Sequence, residues 1–309
     1  MPSDAALIVV NPTAGGGHAR RLLPRLEAAA RAGGHALAVT GRAGDAERLA
    51  AAGTHARVVA VGGDGTVQEV VNGLAAGEPG ITLGVVPAGS GNDLARSLGL
   101  PRAVDAALAV ALGAAVRAID VAEATDGDGR LRRFAAAGGT GFDAQVAHAM
   151  ARPRAAWQRG RVGYLLATLD ELRRYHNSTL HLAWEDGHGM RSTTDLDSLF
   201  VAFANGAYYG GGMRIAPDAA LDDGLLDLCI VGDISRAAAL WQLPGIYRGR
   251  HTRHPAVRMA RAHRLRIEGE GGPVHLDGEP FGRLPLDVVV RPSALQVAAA
   301  APASVAPTR

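Results

Sequence analysis

The sequence predicts an α/β N-terminal domain with a parallel sheet, followed by a mainly β, sandwich-like C-terminal domain. Three observations carry this. Apolar, β-branched runs are followed by glycine-rich turns at 11–17, 62–65 and 87–93. Each turn opens into residues at helical spacing, the strand–turn–helix alternation of a parallel α/β sheet. Beyond about residue 125 helical spacing thins and short strand-like runs dominate.

In chain order, residues 5–10 form a first strand and NPTAGGG at 11–17 a glycine turn. A helix over 19–32 follows, with Leu22, Leu23, Leu26 and Ala30 on one face. Residues 36–40 make a second strand and 45–52 a helix. The central stretch is RVVAVGGDGTVQEVVNGL at 57–74. Its strand stops at glycines, and Val67, Val70, Val71 and Leu74 then fall at i, i+3, i+4, i+7. Thr66 with Glu69 makes a capping-box pattern for that helix. Residues 81–86 are another strand, PAGSGND a third loop, and a helix opens near Leu94. A helix at 105–113 and a strand at 118–123 complete the first domain, set at 1–125.

The turn DGDG at 126–129 marks the change of texture. Strands are expected at 131–137, 180–184, 198–204, 225–231, 265–268, 274–276 and 286–290. Helices are expected at 142–150 and 163–175. The second domain is set at 126–296, and the Ala- and Pro-rich residues 297–309 are a loose tail.

Composition narrows the function. The 309 residues carry 32 basic and 30 acidic side chains, a net charge of +2, and every basic residue other than histidine is arginine. That balance excludes a nucleic-acid binder built on charge and suits an anionic ligand or membrane surface. One cysteine, Cys229, sits in the apolar run LLDLCIV and cannot form an internal disulfide, which points to a reducing compartment. Residues 5–10 are too short for a secretory signal, and no stretch reaches the roughly 18 apolar residues that span a bilayer.

The chemistry is expected at the carboxyl edge of the parallel sheet, where all three loops fall. Glycines allow a ligand close to the backbone, and a helix N-terminus offers free N–H groups to phosphate. The loops lack the Gly-Lys-Ser/Thr ending of a P-loop and the GxGxxG of a dinucleotide fold. Asp64 either bridges a cation to phosphate, positions an attacking hydroxyl, or only caps its turn. Asp277, in LDGEP, reads as a base or as the Asp of an Asp-Gly hairpin. Glu279, two residues on, would share a face with it in extended backbone. Asp222 and Asp223 suit a polar turn or a hard cation equally. The arginines of 248–266 make either a solvated face or a contact for anionic headgroups. Trp157, Trp241, Tyr208 and Tyr209 either line a lipid cleft or are core or interface residues.

Taken together, NPTAGGG, GGDGTVQEVVNGL and PAGSGNDLAR resemble the catalytic domain of the diacylglycerol kinase family, above all its bacterial soluble lipid kinases. ANG at 204–206, YGGG at 209–212, PDAALDDGLLD at 217–227 and LDGEP at 276–280 continue the resemblance through the second half. It implies a two-lobed, NAD kinase/diacylglycerol kinase-like fold that moves the γ-phosphoryl of ATP to a lipid hydroxyl with Mg2+. The lobes would be a nucleotide-binding catalytic domain and a β-rich lipid-substrate domain. Residue by residue, it places Asn11, Pro12, Thr13, Ala14, Gly15 and Thr40 beside the nucleotide. Gly62, Gly63, Asp64, Gly65, Thr66, Val67, Gln68 and Glu69 would follow the phosphates, with Ser90 and Asn92 in the third loop. Ser90 stands where the family usually has threonine. Asp277, Glu279 and Asp64 are the catalytic candidates. Ala220, Asp223 and Leu225 would hold a structural magnesium. The implied partners are a lipid alcohol, a peripheral membrane surface and a second copy of the chain, in a cytoplasmic protein transiently at the membrane. An NAD kinase or a non-catalytic lipid-binding protein are the alternatives; LDGEP and the long β-rich half weigh against the first, and intact acids against the second.

Overall fold

In the computed structural model residues 3–77, 80–151, 170–175 and 177–300 are described. Strands β1 (Ser3–Val10), β2 (Ala36–Val39), β3 (His55–Gly62) and β4 (Thr82–Pro87) run parallel in the order β2-β1-β3-β4. The apolar runs of β1, β3 and β4 are buried on both faces, as parallel strands covered by helices must be, while the edge strand β2 is only partly covered. Helices α1 (Ala14–Gly33), α2 (Asp45–Ala51), α3 (Asp64–Ala76), α4 (Asp93–Ser97) and α5 (Val104–Ala111) supply that cover. One core gathers Val58, Ala60, Val70 and Val71; the opposite face gathers Ile8, Val59, Val61 and Leu26. Gly15, Gly16 and Gly17 have φ of 60°, 65° and 89°, so the regular part of α1 begins after them.

The C-terminal half is β-sandwich-like. It comprises β5 (Val116–Asp126), β6 (Leu131–Phe134), β7 (Ala137–Gly141), α6 (Phe142–Ala151), β8 (Ser178–Glu185), β9 (Arg191–Ala204) and β10 (Leu226–Gly232). Then follow α7 (Arg236–Ile246), β11 (Val257–Ala262), β12 (Arg264–Gly269), β13 (Pro273–Leu276), β14 (Glu279–Arg283) and β15 (Leu286–Ala298). Phe134 and Phe203 meet edge to face, centroids 5.6 Å apart, inside its core. Cys229 is fully buried on the opposite face of its strand, against Phe200 and Met213.

Two long strands join the halves. β5 gives Ile119 and Val121 to the first core and Ala122 and Ala124 to the second. β15, antiparallel to it, gives Leu295 and Val297 to the first and Leu286 and Val288 to the second. Its register slips between Arg291 and Leu295, where Ser293 takes φ 54°. The fully buried Asp120 fixes that irregularity: one carboxylate oxygen accepts from the Ser293 N–H at 2.7 Å, the other from the Gly224 N–H at 2.6 Å.

Several expectations are corrected. Val297 and Ala298 belong to β15, paired with Arg117 and Val116, and are not tail; residues 301–309 lie outside the described ones. The expected strand at 131–137 is two strands, β6 and β7, broken at Ala135 and Ala136. β11, β14 and α7 were not anticipated. Within the expected helix at 163–175, residues 170–174 are helical and 163–169 fall outside the described residues, as does Trp157. Among the described residues no helix is long and apolar enough to cross a membrane.

Candidate active site

The three glycine loops meet. Asn11 Nδ2 donates to Thr66 Oγ1 at 3.0 Å, and the Ala88 N–H donates to the Gly62 carbonyl at 2.8 Å. A Cβ on Gly89 would lie 2.4 Å from the Gly63 Cα, and one on Gly15 2.3 Å from the Ala88 carbonyl oxygen. Only glycine lets these backbones approach so closely. We expect Gly89→Ala to prise the second and third loops apart. Because misplacing a loop at a reacting centre by about 1 Å costs roughly 10²-fold, turnover at this cleft should fall by about that factor in steady-state assays.

The capping box is not formed. α3 starts at Asp64, its N-cap is Gly63, and no side chain caps it. Thr66 is engaged by Asn11, while the Glu69 carboxylate accepts from the Gly44 and Ala46 N–H groups at 2.9 and 3.1 Å. Glu69 thus holds the start of α2 as the far wall of a cleft. The cleft, of about 920 Å3, is walled by Asn11, Thr13, Ala14, Thr40, Gly63, Gly65, Thr66, Gln68 and Glu69 from the first lobe. Glu279, Pro280, Arg130 and Arg132 close it from the second. The uncapped first turn of α3 opens into it, a site with free N–H groups and positive potential.

Asp64 is tied differently. Its two oxygens accept from the Asn92 and Asp93 N–H groups, at 2.7 and 2.6 Å. It therefore acts on the third loop as an N-terminal cap of α4, while burial raises its pKa. Asp93, behind it, was not singled out from the sequence. Its Oδ2 accepts from the Gly211 N–H at 3.0 Å, from the YGGG segment of the other lobe. Burial, and then the Asp64 charge, push its pKa up to about 7. Asn92, with φ 57°, folds back to exchange hydrogen bonds with Gly89.

Asp277 and Glu279 do not share a face. Asp277 (φ 49°) and Gly278 (φ 82°) are the two-residue turn between β13 and β14, the Asp-Gly hairpin in full. That turn rotates the carboxylates apart. Asp277 accepts from the N–H groups of Ala135, Ala136 and Ala137 at 3.3, 3.0 and 3.0 Å, bracing the β6–β7 break. Burial lifts its pKa to about 6 against these bonds. Glu279 instead faces the cleft: a Cβ on Gly65 would lie 2.7 Å from its Oε1. Glu279 is exposed to the cleft, yet the walls packed about it raise its pKa by partial desolvation, with Arg132 pulling the other way and Glu69 and Asp64 adding to the rise. Gln68 sets the height of this turn, donating from Nε2 to the Leu276 carbonyl at 2.8 Å across the lobes.

Other sequence-derived candidates stand apart from the cleft wall. Val67 is in the core, Ser90 is exposed on the third loop, and Pro12 and Gly62 support the turns behind it. Asp223 accepts from the Leu225 N–H at 3.1 Å and pairs with Arg261. Arg261 also lies 3.8 Å from Asp227, whose pKa burial and then Asp218 push up to about 6. With a guanidinium already on its carboxylate, the turn of Ala220, Asp223 and Leu225 does not fit a cation as it stands. Among the described residues no cluster of three His, Cys, Asp or Glu side chains could hold a metal ion. We expect magnesium to leave the melting temperature of the wild type unmoved. Arg261→Ala, by freeing two carboxylates, should make melting magnesium-sensitive, as differential scanning fluorimetry would show.

Residues 5–124 match the diacylglycerol kinase catalytic domain, and 136–299 the YegS C-terminal NAD kinase beta sandwich-like domain. A protein of Mycobacterium tuberculosis named diacylglycerol kinase is 36% identical over 264 residues, covering 84% of this chain and 82% of its own. The chain belongs to the diacylglycerol kinase family. It is thus a phosphotransferase of the lipid kinase type by descent. A Bacillus subtilis member named diacylglycerol kinase is 30% identical, covering 92% of both chains. The crystal structure of a family member from Bacillus anthracis str. Sterne, titled a diacylglycerol kinase, superposes with a TM-score of 0.72, covering 96% of this chain and 97% of that one. At 23% identity that likeness speaks for the fold.

Proposed function

We propose that this family member is an ATP- and magnesium-dependent kinase for the hydroxyl of a lipid such as diacylglycerol, cytoplasmic and transiently at the membrane. The observation that carries the reading is Glu279 reaching across the cleft to Gly65, at the uncapped start of α3.

In this reading the N–H groups of Gly63 to Thr66, with Asn11 and Thr40 beside them, receive the triphosphate. The lipid hydroxyl approaches from the Glu279 side. Its oxygen forms a bond to the γ-phosphorus as the bond to the bridging β,γ-oxygen breaks, and its proton passes to the Glu279 carboxylate. Arg132, beside Glu279 on the same wall, offsets the charge that develops on the transferring group. Magnesium, when bound with the nucleotide, supplies charge neutralisation at the phosphates. Asp64 serves by holding the third loop, with Ser90 and Asn92, against the second. Asp277 serves by holding the β6–β7 break under the turn that carries Glu279. A structural ion at Ala220, Asp223 and Leu225 would have to displace Arg261, and no step passes through it.

The test is purified protein with γ-labelled ATP and a panel of diacylglycerol, phosphatidylglycerol, a sphingoid base and NAD. Labelled lipid is the expected product. Label in NAD alone would overturn the lipid reading in favour of an NAD kinase, and ATP turnover with no labelled acceptor would overturn both.

A further inference from the structure

Helix α7 is apolar on the side it shows to water. Ala237, Leu240, Trp241, Pro244 and Tyr247 recur at helical spacing and are exposed, Trp241 at 84%. Its other side is apolar too: Ala239, Leu243 and Ile246 pack on the core with Phe200 and Val231. Surface helices of soluble proteins put charge on the outer face. Here the outer face carries no charge from Ala237 to Tyr247, and Arg248 follows at the next position of the same stripe.

The charge that follows this helix in the sequence is largely of one sign. From Ile234 to Ile267 the sequence contains eight arginines and no aspartate or glutamate. Arg248, Arg250 and Arg253 are exposed just beyond the helix, on and beside the 3-10 turn Arg250–Arg253 that packs against it. An exposed tryptophan and tyrosine flanked by unpaired-sign arginines is the composition of a segment that lies in a membrane interface. The apolar stripe suits the acyl boundary, and the arginines suit anionic headgroups, where each adds about 1 kcal/mol.

We propose that the outer face of α7, with Arg248, Arg250 and Arg253, docks this protein on an anionic lipid bilayer. The stripe of Leu240, Trp241, Pro244 and Tyr247 inserts at the level of the headgroups. The docking deepens the kinase reading above, which needs a lipid acceptor, but its test does not depend on that reading.

The test is co-sedimentation with vesicles of phosphatidylcholine carrying a third phosphatidylglycerol, without ATP, at low and high salt. The wild type should bind, and salt should weaken it. Trp241→Ser should weaken binding by about tenfold, and each of Arg248→Gln, Arg250→Gln and Arg253→Gln by roughly fivefold. Tryptophan fluorescence should shift to the blue on binding, and brominated lipid should quench it in the wild type more than in Trp241→Phe. Unaltered binding by Trp241→Ser and the triple arginine variant would overturn the proposal. So would a concentration-dependent dimer in light scattering that Trp241→Ser abolishes, which would assign the face to a second copy of the chain. Phosphorylation of detergent-dispersed lipid is measured in parallel. Its absence beside normal vesicle binding would sink the kinase reading and leave the docking face standing.

Discussion

Replacing Glu279 by Gln should cut lipid phosphorylation to a small residual rate while leaving the fold intact. A positioned general base contributes about 10²–10⁴ in rate, so kcat should fall by that order with little change in the KM for ATP. Gln keeps the shape of the side chain and its approach to Gly65 but cannot accept the hydroxyl proton. Asp277→Asn should behave otherwise. Asp277 already receives three backbone N–H groups, and an amide there turns N–H donors towards N–H donors. Its main effect should be on melting temperature, with loss of activity following from a displaced turn. Equal kcat in Glu279→Gln and wild type, measured with labelled ATP and a lipid acceptor, would remove Glu279 from the mechanism. The pH profile adds a second reading. The base must be ionised, and partial desolvation in the cleft raises the pKa of Glu279, so activity is present above that raised value and is lost as pH falls through it. The acid limb should therefore lie above the ordinary glutamate range, and it should be missing from the residual rate of Glu279→Gln.

Asp120→Ala should be the most damaging single change outside the cleft. The carboxylate is fully buried and satisfies two N–H groups, those of Gly224 and Ser293. Hydrogen bonds to a charged group contribute about 1.5–3 kcal/mol each, and the orphaned donors add a desolvation penalty. A loss of about 3 kcal/mol or more is expected, read as a lower denaturant midpoint at unchanged slope. Because Ser293 sits at the slip in β15 and Gly224 in the DDG turn, both lobes should loosen together. A variant that melts within about 0.5 kcal/mol of wild type would show that this latch carries no strain or binding energy.

The three glycine loops were legible because a Cβ at Gly15 or Gly89 would fall within 2.3–2.4 Å of a neighbouring backbone atom, which leaves room for glycine alone, so composition marks them. Glu279 was legible through its motif, but its separation from Asp277 was not, since an αL turn of two residues rotates what an extended chain would align. Thr66 and Glu69 misled because each side chain satisfies a partner distant in sequence, Asn11 in one case and Gly44 with Ala46 in the other. Asp93 gains its significance from Gly211, 118 positions away, which no local pattern reveals. Asp120 did leave a trace: an acid in the middle of the apolar run AIDVA. α7 escaped because a helix apolar on both sides lacks the contrast on which periodicity depends.

The way the last strand threads back has a practical corollary. Val297 lies beside Leu83 and Leu295 beside Ile119, so the final strand is a structural plank of the amino-terminal lobe. A gene fragment ending at residue 125 would emerge with that seam wetted and a strand edge bare, prone to clump rather than to fold. Heating the intact polypeptide should accordingly give one cooperative endotherm, with neither lobe outliving the other.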